Sequence, residues 1–558
     1  MRWAPTWATT LGDHRHDDQL APRDAAAMAR LEAERGALLA RLAGLAGGPL
    51  DELDRVTHAQ LTARLAGEHG LDRCRFHEWL VESGGGSVFG ELSYVALAHT
   101  VAVPGDAANL VARMAQGVAA IDDTIANLAR GLAAGRVSGA EKLRRAIRQL
   151  DGELRAPVAT WAMATPAWAA APDPDPWPPG ARDRAVAALR DVVTTELAPA
   201  FVRLRDFLRD RVLPAARGEV EGLAGLPGGE ACYRAAIAHH VGLAVSAAEL
   251  HALGTTEVAR TDEAIAALGA TLFGTPDLAS TLARLRADRA LYFSSSGEIL
   301  AAAEAALARA KVAAPAYFVT LPSADCVLRE IPAYEAPSAP VAYYRQPHYD
   351  GSKPGELCIN THTPEMRARY ELEAVTWHEG IPGHHNQIAL AMELEALPAF
   401  RKLDGFGHRG FVEASTAYVE GWALYTEGLA DEMGLYSSDL ARLGQRTLDA
   451  CRAARLVVDT GLHALGWTRA RAEAYLRDHT AMTEGNLSNE VDRYLGCPGQ
   501  ALAYKVGQLE IRRLRALAER ALGATFHIAA FHAVVLGAGA VTLPVLGDRV
   551  ARWIEAAR

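Results

Sequence analysis

Three histidines and one glutamate lie within residues 378–385, which read HEGIPGHH. Imidazole nitrogens and carboxylate oxygens are the ligands that catalytic zinc sites use. In the usual zinc-hydrolase helix, H-E-x-x-H, the two histidines share one helix face and the glutamate is the general base. This segment departs from that spacing, because Pro382 stands four residues after His378. The residue types therefore predict a metal site, but the usual helix geometry cannot form it.

A shared metal requires the helix to break between the histidines. In an unbroken helix His384 would lie about 240° around from His378, and His385 would lie roughly 10 Å further along the axis. Pro382 lacks the amide that would bond the carbonyl of His378, and Gly383 permits unusual backbone angles. We therefore predict that the helix ends here and that a later histidine turns back toward His378.

A third ligand is expected from residues 411–427, a predicted helix that follows the motif. Glu413, Glu420 and Glu427 recur there every seven residues and so share one face. A carboxylate from this face would complete a two-histidine, one-glutamate site that keeps a position open for water. Because the three are spread along the helix, only one of them is expected to reach the metal.

Several segments resemble the bacterial family catalogued as domain of unknown function 885. They are HEGIPGHHNQ (378–387), TAYVEGWALYTE (416–427), RLVVDTG (455–461) and EVDRYLGCPGQALAYKVG (490–507). Residues 7–18 and 249–254 are also similar to it, so the resemblance covers almost the whole chain. The family looks like a divergent branch of the gluzincin metallopeptidases. That resemblance implies a helical, clefted fold with a small edge sheet, a Zn²⁺ cofactor and hydrolysis of amide bonds.

The resemblance also bears on the choice of ligands. His384 aligns with the second histidine ligand of the oligopeptidase branch, which leaves His385 behind the ligands or facing the substrate. The third ligand is open between Glu413, favoured by the oligopeptidase alignment, and Glu420, which lies in the segment most typical of the family. We favour Glu420. The predicted metal ligands are therefore His378, His384 and Glu420.

Other groups are expected to do the chemistry around the metal. Glu379 would take a proton from water and later pass it to the departing amine. Tyr504, or else Tyr494, would stabilise the negative charge that develops in the tetrahedral intermediate. Arg493 would grip a substrate carboxylate, as in a carboxypeptidase, or it would form a structural ion pair with Asp492.

The elements that must position these residues are mostly helices. Ala, Leu and Arg recur at three-and-four spacing from residue 24 to 223 and from 229 to 307, and helical patterns resume after 364. Between 314 and 363 four short runs predict strands, at residues 317–320, 326–328, 341–344 and 357–360. The last of these ends at Asn360 and could bind an extended peptide along the sheet edge. We expect a mainly α fold, either as one domain or with lobes at 1–310 and 311–558.

Composition and charge exclude several classes of protein. Of the 558 residues 22% are charged and half are hydrophobic, and the net charge of -10 comes from interleaved acidic and basic residues. A nucleic-acid partner is therefore not expected. The most apolar stretch, residues 529–547, contains a histidine, three glycines and a proline. It is predicted to be a buried helix and a turn, so no membrane partner is expected.

The cysteines and the N-terminus bear on the compartment. The six cysteines are scattered without a C-x-x-C pair, which predicts buried free thiols instead of a disulfide framework. The first seven residues lack the apolar core of a secretory signal. Together these features predict a cytoplasmic protein.

These observations predict a zinc-dependent hydrolase, and a peptidase of carboxypeptidase or oligopeptidase type in particular. The substrate would be a peptide or another small amide, and the oligomeric state is left open. One alternative is a zinc amidase that acts on a small non-peptide metabolite, since the same metal chemistry cleaves many C–N bonds. Another is a helical metal-binding protein without turnover. Glu379 has no structural reason to follow His378, and this favours an enzyme.

Overall fold

The structure is a computed structural model. It describes the whole chain except residues 1, 11, 166–167, 169–176, 276, 333–335, 337–338, 348–352 and 403–414. Glu413, the alternative third ligand, lies outside the described residues. The prediction of a mainly α fold is confirmed, because helices dominate the described residues and the strands form one small sheet.

The chain divides into two compact units. The first comprises Met1–Ala40 and Leu71–Cys232, and the second comprises Arg41–Gly70, Tyr233–Gly407 and Glu413–Arg558. Residues 233–310 therefore belong to the second unit, so the units do not follow the lobe boundary expected at residue 310. The described site residues all belong to the second unit.

The first unit is built around packed helices. In the described part of the chain before residue 229, the helices are α1 (Pro5–Thr10), α2 (Ala25–Leu45), α3 (Glu52–Leu71), α4 (Phe76–Trp79), α5 (Val88–Ala98), α6 (Pro104–Ala115), α7 (Gly117–Ala133), α8 (Ala140–Arg155), α9 (Ala181–Val192) and α10 (Ala198–Phe207). The end of α2 and nearly all of α3 belong to the second unit. Phe89, Trp161 and Phe201 pack ring against ring at the centre of the first unit, with centroids 5.0 to 6.0 Å apart.

The prediction that every cysteine is a free thiol is wrong. Cys74 and Cys232 form a disulfide, although 158 residues separate them in the chain. Cys326, Cys358 and Cys451 are buried free thiols. A pairing over such a distance leaves no local spacing signal, because only the packed fold brings the two cysteines together. Among the described residues no helix is long and apolar enough to cross a membrane.

The second unit holds the longest helices. From residue 229 onward the described helices are α11 (Gly229–Val241), α12 (Ala247–Phe273), α13 (Leu278–Ala287), α14 (Ser296–Ala313), α15 (Arg369–Glu379), α16 (His384–Glu393), α17 (Ala399–Lys402), α18 (Thr416–Glu432), α19 (Asp439–His463), α20 (Arg469–His479), α21 (Glu484–Gly496), α22 (Leu502–Leu522), α23 (Ile528–Leu536) and α24 (Leu543–Ala557). Helix α12 begins with a capping box of Ser246 and Glu249 and ends at Gly274 in the left-handed region. It packs along α19, where Gly254 allows the closest approach because a Cβ there would lie 2.6 Å from the Cβ of Leu456.

A three-stranded sheet precedes α15. Its strands are β1 (Cys326–Glu330), β2 (Ala342–Arg345) and β3 (Gly355–Ile359), in the order β1-β3-β2. Strand β3 pairs parallel with β1 and antiparallel with β2. Three of the four predicted strands are thus confirmed, whereas residues 317–320 form a turn and a loop after α14.

The expectation that the last predicted strand offers an edge to a peptide is wrong. Strand β3 is paired on both sides, so its backbone donors and acceptors are already used. The Asn360 side chain donates to the carbonyls of Ala336, Ala339 and Pro340, and accepts from the amide of His362. We therefore assign Asn360 to holding the loop beside the sheet and not to substrate binding.

Candidate metal centre

The chain breaks its helix between the motif histidines. Helix α15 ends at Glu379 and α16 begins at His384. A Cβ at position 383 would lie 1.9 Å from the carbonyl oxygen of His378, so only glycine allows this close return of the backbone. The indole of Trp422, on α18, donates to the carbonyls of Pro382 and Gly383 at 3.1 and 3.2 Å. The predicted break is present, and a neighbouring helix holds it.

The break brings three of the predicted ligand atoms together. Glu420 Oε2 lies 3.7 Å from His378 Nε2 and 3.6 Å from His384 Nε2. The two imidazole rings are nearly perpendicular, with centroids 5.0 Å apart. The candidate ligand atoms all lie within 4.8 Å of one another, and both histidines are buried.

These separations fit a metal ion better than they fit hydrogen bonds. A nitrogen and an oxygen that share a proton lie about 2.7 to 3.2 Å apart, which is closer than either pair here. Two ligands on a tetrahedral zinc ion with bonds of about 2.0 to 2.1 Å lie roughly 3.3 Å apart. The two histidine–glutamate separations are a few tenths of an ångström longer than this, and the three candidate atoms lie within 4.8 Å of one another, so they would have to move inward to bind one ion.

The outer nitrogen of each imidazole has its own partner. His378 Nδ1 lies 2.8 Å from Glu427 Oε1, and His384 Nδ1 lies 3.3 Å from Gln387 Oε1. The carboxylate and amide oxygens of these partners can only accept, so Nδ1 donates, and an imidazole in its neutral form would then carry its lone pair on Nε2, toward Glu420. A carboxylate behind a histidine ligand is the usual arrangement in metal sites, where it orients the ring and raises its basicity.

Glu427 is itself held in place. Its side chain is fully buried, and the Tyr436 hydroxyl donates to its backbone carbonyl at 2.9 Å. Arg452 Nη2 lies 3.8 Å from Glu427 Oε1, so a guanidinium partly balances the buried carboxylate. The seven-residue spacing predicted that Glu420 and Glu427 share a helix face. Only the packing of α15 against α18 shows that Glu427 meets the back of His378.

The electrostatics of the centre reflect its crowding with acidic groups. Burial lowers the pKa of His378, but the carboxylates of Glu420 and Glu427 outweigh it and raise that pKa to about 9. Burial acts to raise the pKa of Glu420, yet the two imidazoles hold it well below its usual range. Burial raises the pKa of Glu379 above the ordinary carboxyl value, against the opposing effect of both histidines. A raised carboxyl pKa suits a group that must accept and then release a proton.

A close helix crossing places Tyr504 beside this centre. A Cβ on Gly421 would lie 2.4 Å from Gly507 Cα, and a Cβ on Gly507 would lie 1.7 Å from the carbonyl oxygen of Ala417. The two glycines therefore let α18 and α22 touch backbone to backbone. Glu420 precedes one glycine and Tyr504 lies about one turn before the other. Glu420 lies near enough to contribute to the raised pKa of the Tyr504 hydroxyl, which burial dominates.

Two arginines flank the Tyr504 ring. The guanidinium carbons of Arg455 and Arg493 lie 4.7 and 5.5 Å from the ring centroid. Arg493 Nη2 also donates to the Tyr504 hydroxyl at 3.0 Å and to Gln500 Oε1 at 2.8 Å. Because the hydroxyl accepts this bond, its own proton is left to donate elsewhere. The Arg493 side chain is 36% exposed, so part of its guanidinium can meet a ligand.

Tyr494, the second candidate for stabilising the intermediate, is placed differently. It is fully buried, its hydroxyl donates to Glu490 at 2.6 Å and it accepts from Arg455 Nε at 3.2 Å. No proton is left for a substrate, so we assign Tyr494 a structural role. Asp492 pairs with Arg469 and not with Arg493, which instead has Glu490 at 3.6 Å.

His385 points away from the candidate ligands. Its Nδ1 lies 2.9 Å from the Tyr344 hydroxyl on β2, and burial lowers its pKa to about 4. The side chain therefore joins α16 to the sheet, and its nitrogens are not among the atoms that converge on Glu420. Sequence reasoning did not identify Gln387 or Arg452 as neighbours of the ligands. Gln387 has a local signal, since it follows His384 by one helical turn. Arg452 lies in α19, which is far from the motif in sequence, so no local signal points to it.

One family model and two solved structures each match nearly the whole chain. The model of one family, described as "Bacterial protein of unknown function (DUF885)", matches residues 5–550. No curated protein matches the chain. A crystal structure of a "putative lipoprotein" from Colwellia psychrerythraea is 25% identical, with a TM-score of 0.87, and the match covers 100% of this chain and 96% of that one. A "putative lipoprotein of unknown function" from Shewanella oneidensis is 19% identical, with a TM-score of 0.76 and coverage of 98% and 96%, and it shows the shared fold alone.

Proposed function

The chain belongs to the DUF885 family of bacterial proteins of unknown function, and we propose that it is a zinc-dependent peptidase. One observation carries the proposal. Glu420 Oε2 lies 3.7 Å from His378 Nε2 and 3.6 Å from His384 Nε2, which is too long for hydrogen bonds and close to the separation of two ligands on one metal ion, and the three atoms lie within 4.8 Å of one another. Two imidazoles and a carboxylate form the ligand set of catalytic zinc sites in peptidases.

Zinc held by His378, His384 and Glu420 would supply Lewis acidity, which makes water more acidic and polarises a carbonyl. Glu379 directly follows the first ligand and would accept the proton of the attacking water, then deliver it to the departing amine. Tyr504 would donate its phenolic proton to the oxygen on which negative charge develops. Glu427 and Gln387 would hold the two imidazoles with Nε2 toward Glu420.

The first test separates a peptidase from a protein that only binds metal. We expect purified protein to contain about one zinc ion per chain. Glu379→Gln should keep the metal and the fold but lose roughly 10²- to 10⁴-fold in turnover, because it removes a general base and no ligand. The assay is a panel of peptides that differ in length and in blocked termini, together with small non-peptide amides.

Each result of this panel has a clear meaning. Full activity of Glu379→Gln would contradict the mechanism. Metal without any turnover by the wild type would favour the binding-protein alternative. Cleavage of the small amides but not of the peptides would favour the amidase.

The second test concerns the polarity of the substrate and rests on Arg493. This guanidinium contacts the Tyr504 hydroxyl and remains partly exposed, so a substrate carboxylate could bind it beside the reacting carbonyl. If it does, amidating the C-terminus of a peptide should lower kcat/KM. The decrease should correspond to a loss of roughly 2 to 4 kcal/mol in transition-state stabilisation, as for a charged hydrogen bond. The same amidation should have little effect in Arg493→Ala. Equal cleavage of free and amidated peptides by the wild type would show that Arg493 is structural.

The cytoplasmic location is not carried into this proposal. One of its two supports was the reading of all six cysteines as free thiols. A Cys74–Cys232 disulfide is a bond that oxidising compartments maintain, so that support is removed.

A further inference from the structure

A cavity lined in part by charged side chains lies along helices α18 and α22, near which the candidate metal centre is also built. It has a volume of about 570 Å³ and is lined by residues of α18, α19 and α22. Helices α18 and α22 run in the same direction, since Gly421 contacts Gly507 near the metal centre and Gly428 contacts Arg512 further along both helices. Gly428 follows Glu420 by about 12 Å along the helix axis. The cavity is therefore separate from the metal ligands.

Arg512 is the unusual side chain of this cavity. Within the described part of the chain it donates no hydrogen bond and has no carboxylate partner at ion-pair distance. A Cβ at position 428 would lie 2.6 Å from Arg512 Nη2, so Gly428 leaves the space that the guanidinium occupies. A guanidinium stays charged at every physiological pH. The cavity is thus lined by a permanent cation whose donors the described residues leave unused.

The acidic residues of the cavity are already engaged. Both oxygens of Glu432 accept hydrogen bonds from Arg515, at 2.9 and 2.7 Å. Glu519 accepts from Arg515 Nε at 2.8 Å, and Asp431 accepts from Arg442 Nε at 2.8 Å. These carboxylates therefore have guanidinium partners other than Arg512.

A second arginine of the cavity, Arg446, lies on α19. Arg446 Nη2 forms an ion pair with Asp431 Oδ2 at 3.8 Å, which is longer than a hydrogen bond, while Asp431 Oδ1 accepts from Arg442. Behind the cavity, Asp449 accepts from Lys505 at 2.6 Å and from Arg260 at 2.7 Å. Arg446 and Arg512 thus contribute two charges that, among the described residues, donate no hydrogen bond.

From this arrangement we infer that the cavity binds a phosphate group, either free or as a phosphate ester, between Arg446 and Arg512. Two cations from different helices match the two negative charges of phosphate. Each planar guanidinium can also donate two parallel hydrogen bonds to a pair of its oxygens. A single carboxylate has one charge and two oxygens, so it would satisfy only one of the arginines. The inference does not depend on the proposed peptidase activity.

Calorimetric titration of the full-length protein with inorganic phosphate, at constant ionic strength set by chloride, tests the site. We expect saturable binding that Arg512→Gln weakens roughly 10-fold or more, because it removes a charged hydrogen-bond donor. Arg446→Gln should weaken it similarly. The matched control is Arg520→Gln, an exposed arginine on the same helix outside the cavity, which should leave binding unchanged.

Two additions keep the test decisive. Gly428→Ala retains both arginines but fills the space of the Arg512 guanidinium, so it should also weaken phosphate binding. Phosphate bound to a metal at His378 and His384 would be insensitive to Arg512→Gln, so the difference between wild type and variant reports the cavity alone. Glycerol phosphate in place of inorganic phosphate shows whether an ester is preferred.

Three outcomes would overturn the assignment. The first is the absence of phosphate binding above that of chloride. The second is equal phosphate affinity in wild type and Arg512→Gln, with both proteins shown to be folded by circular dichroism. The third is binding of acetate as tight as that of phosphate, which would make the cavity a carboxylate site.

Discussion

Two clusters of buried polar side chains share helix α22, and they are built in opposite ways. In the first, a cation meets its anions. Lys505 Nζ lies 2.6 Å from Asp449 Oδ1, 2.9 Å from Gln508 Oε1 and 3.1 Å from Glu257 Oε2. Each group there has a partner of the opposite kind.

The second cluster is the candidate metal centre, which lies near Tyr504, the residue before Lys505 in α22. It consists mainly of imidazoles and carboxylates. Two imidazole Nε2 atoms approach Glu420 Oε2, while Glu427 lies behind one of the rings. Burying polar groups in this way costs free energy unless something compensates them. Lys505 completes its cluster from within the chain, whereas in the histidine cluster the proposed zinc ion would supply the compensating cation. The comparison teaches that incomplete compensation, and not burial of charge alone, distinguishes a ligand site from a structural ion pair.

The largest effect should come from removing a ligand of the incomplete cluster. His378→Ala and His384→Ala should each release the metal and abolish turnover, since each removes a bond to the ion. His385→Ala is the matched control, because this adjacent histidine faces Tyr344 and not Glu420. The metal content per chain of the two ligand variants and of the control is measured by inductively coupled plasma mass spectrometry. Loss of metal in His385→Ala with retention in His384→Ala would reverse the assignment.

Breaking the complete cluster should instead affect folding. Lys505→Met leaves Asp449 and Glu257 with less compensation, and a broken buried pair costs roughly 3 to 5 kcal/mol. Arg260 still contacts Asp449, so the loss should lie toward the lower end of this range. Urea unfolding gives the free energy, and metal content per folded molecule should be unchanged. A stable Lys505→Met protein that has lost its metal would blur the distinction between the clusters.

The smallest of these effects concerns the carboxylate behind His378. Glu427→Ala removes the partner of Nδ1 but no ligand, so metal affinity should fall about 10- to 100-fold, as for comparable outer partners. Glu420→Ala should weaken binding far more, and Glu413→Ala should resemble Glu427→Ala. Competition with a chelator of known affinity measures all three. If Glu413→Ala proved the most damaging of the three, the third ligand would be Glu413.

The sequence by itself was enough for the features that depend on neighbours along the chain. Alanine and leucine periodicity predicted the helices, and short apolar runs between turn residues predicted four strands, three of which the structure contains. Pro382 and Gly383 predicted the end of α15, because a missing amide and a missing Cβ act within one turn. The seven-residue spacing likewise placed Glu420 and Glu427 on one helix face.

Only the tertiary structure decided which side chains meet across elements. Tyr494 and Tyr504 are both buried tyrosines near Arg493 in sequence, yet Glu490 uses the proton of one and the other lies beside Glu420. Asn360 and His385 looked available for substrate, but loop carbonyls and Tyr344 occupy them. Cys74 and Cys232 meet across 158 residues. Such contacts depend on how helices cross, as at Gly421 and Gly507, and the chain carries no local signal of which surfaces will be brought together.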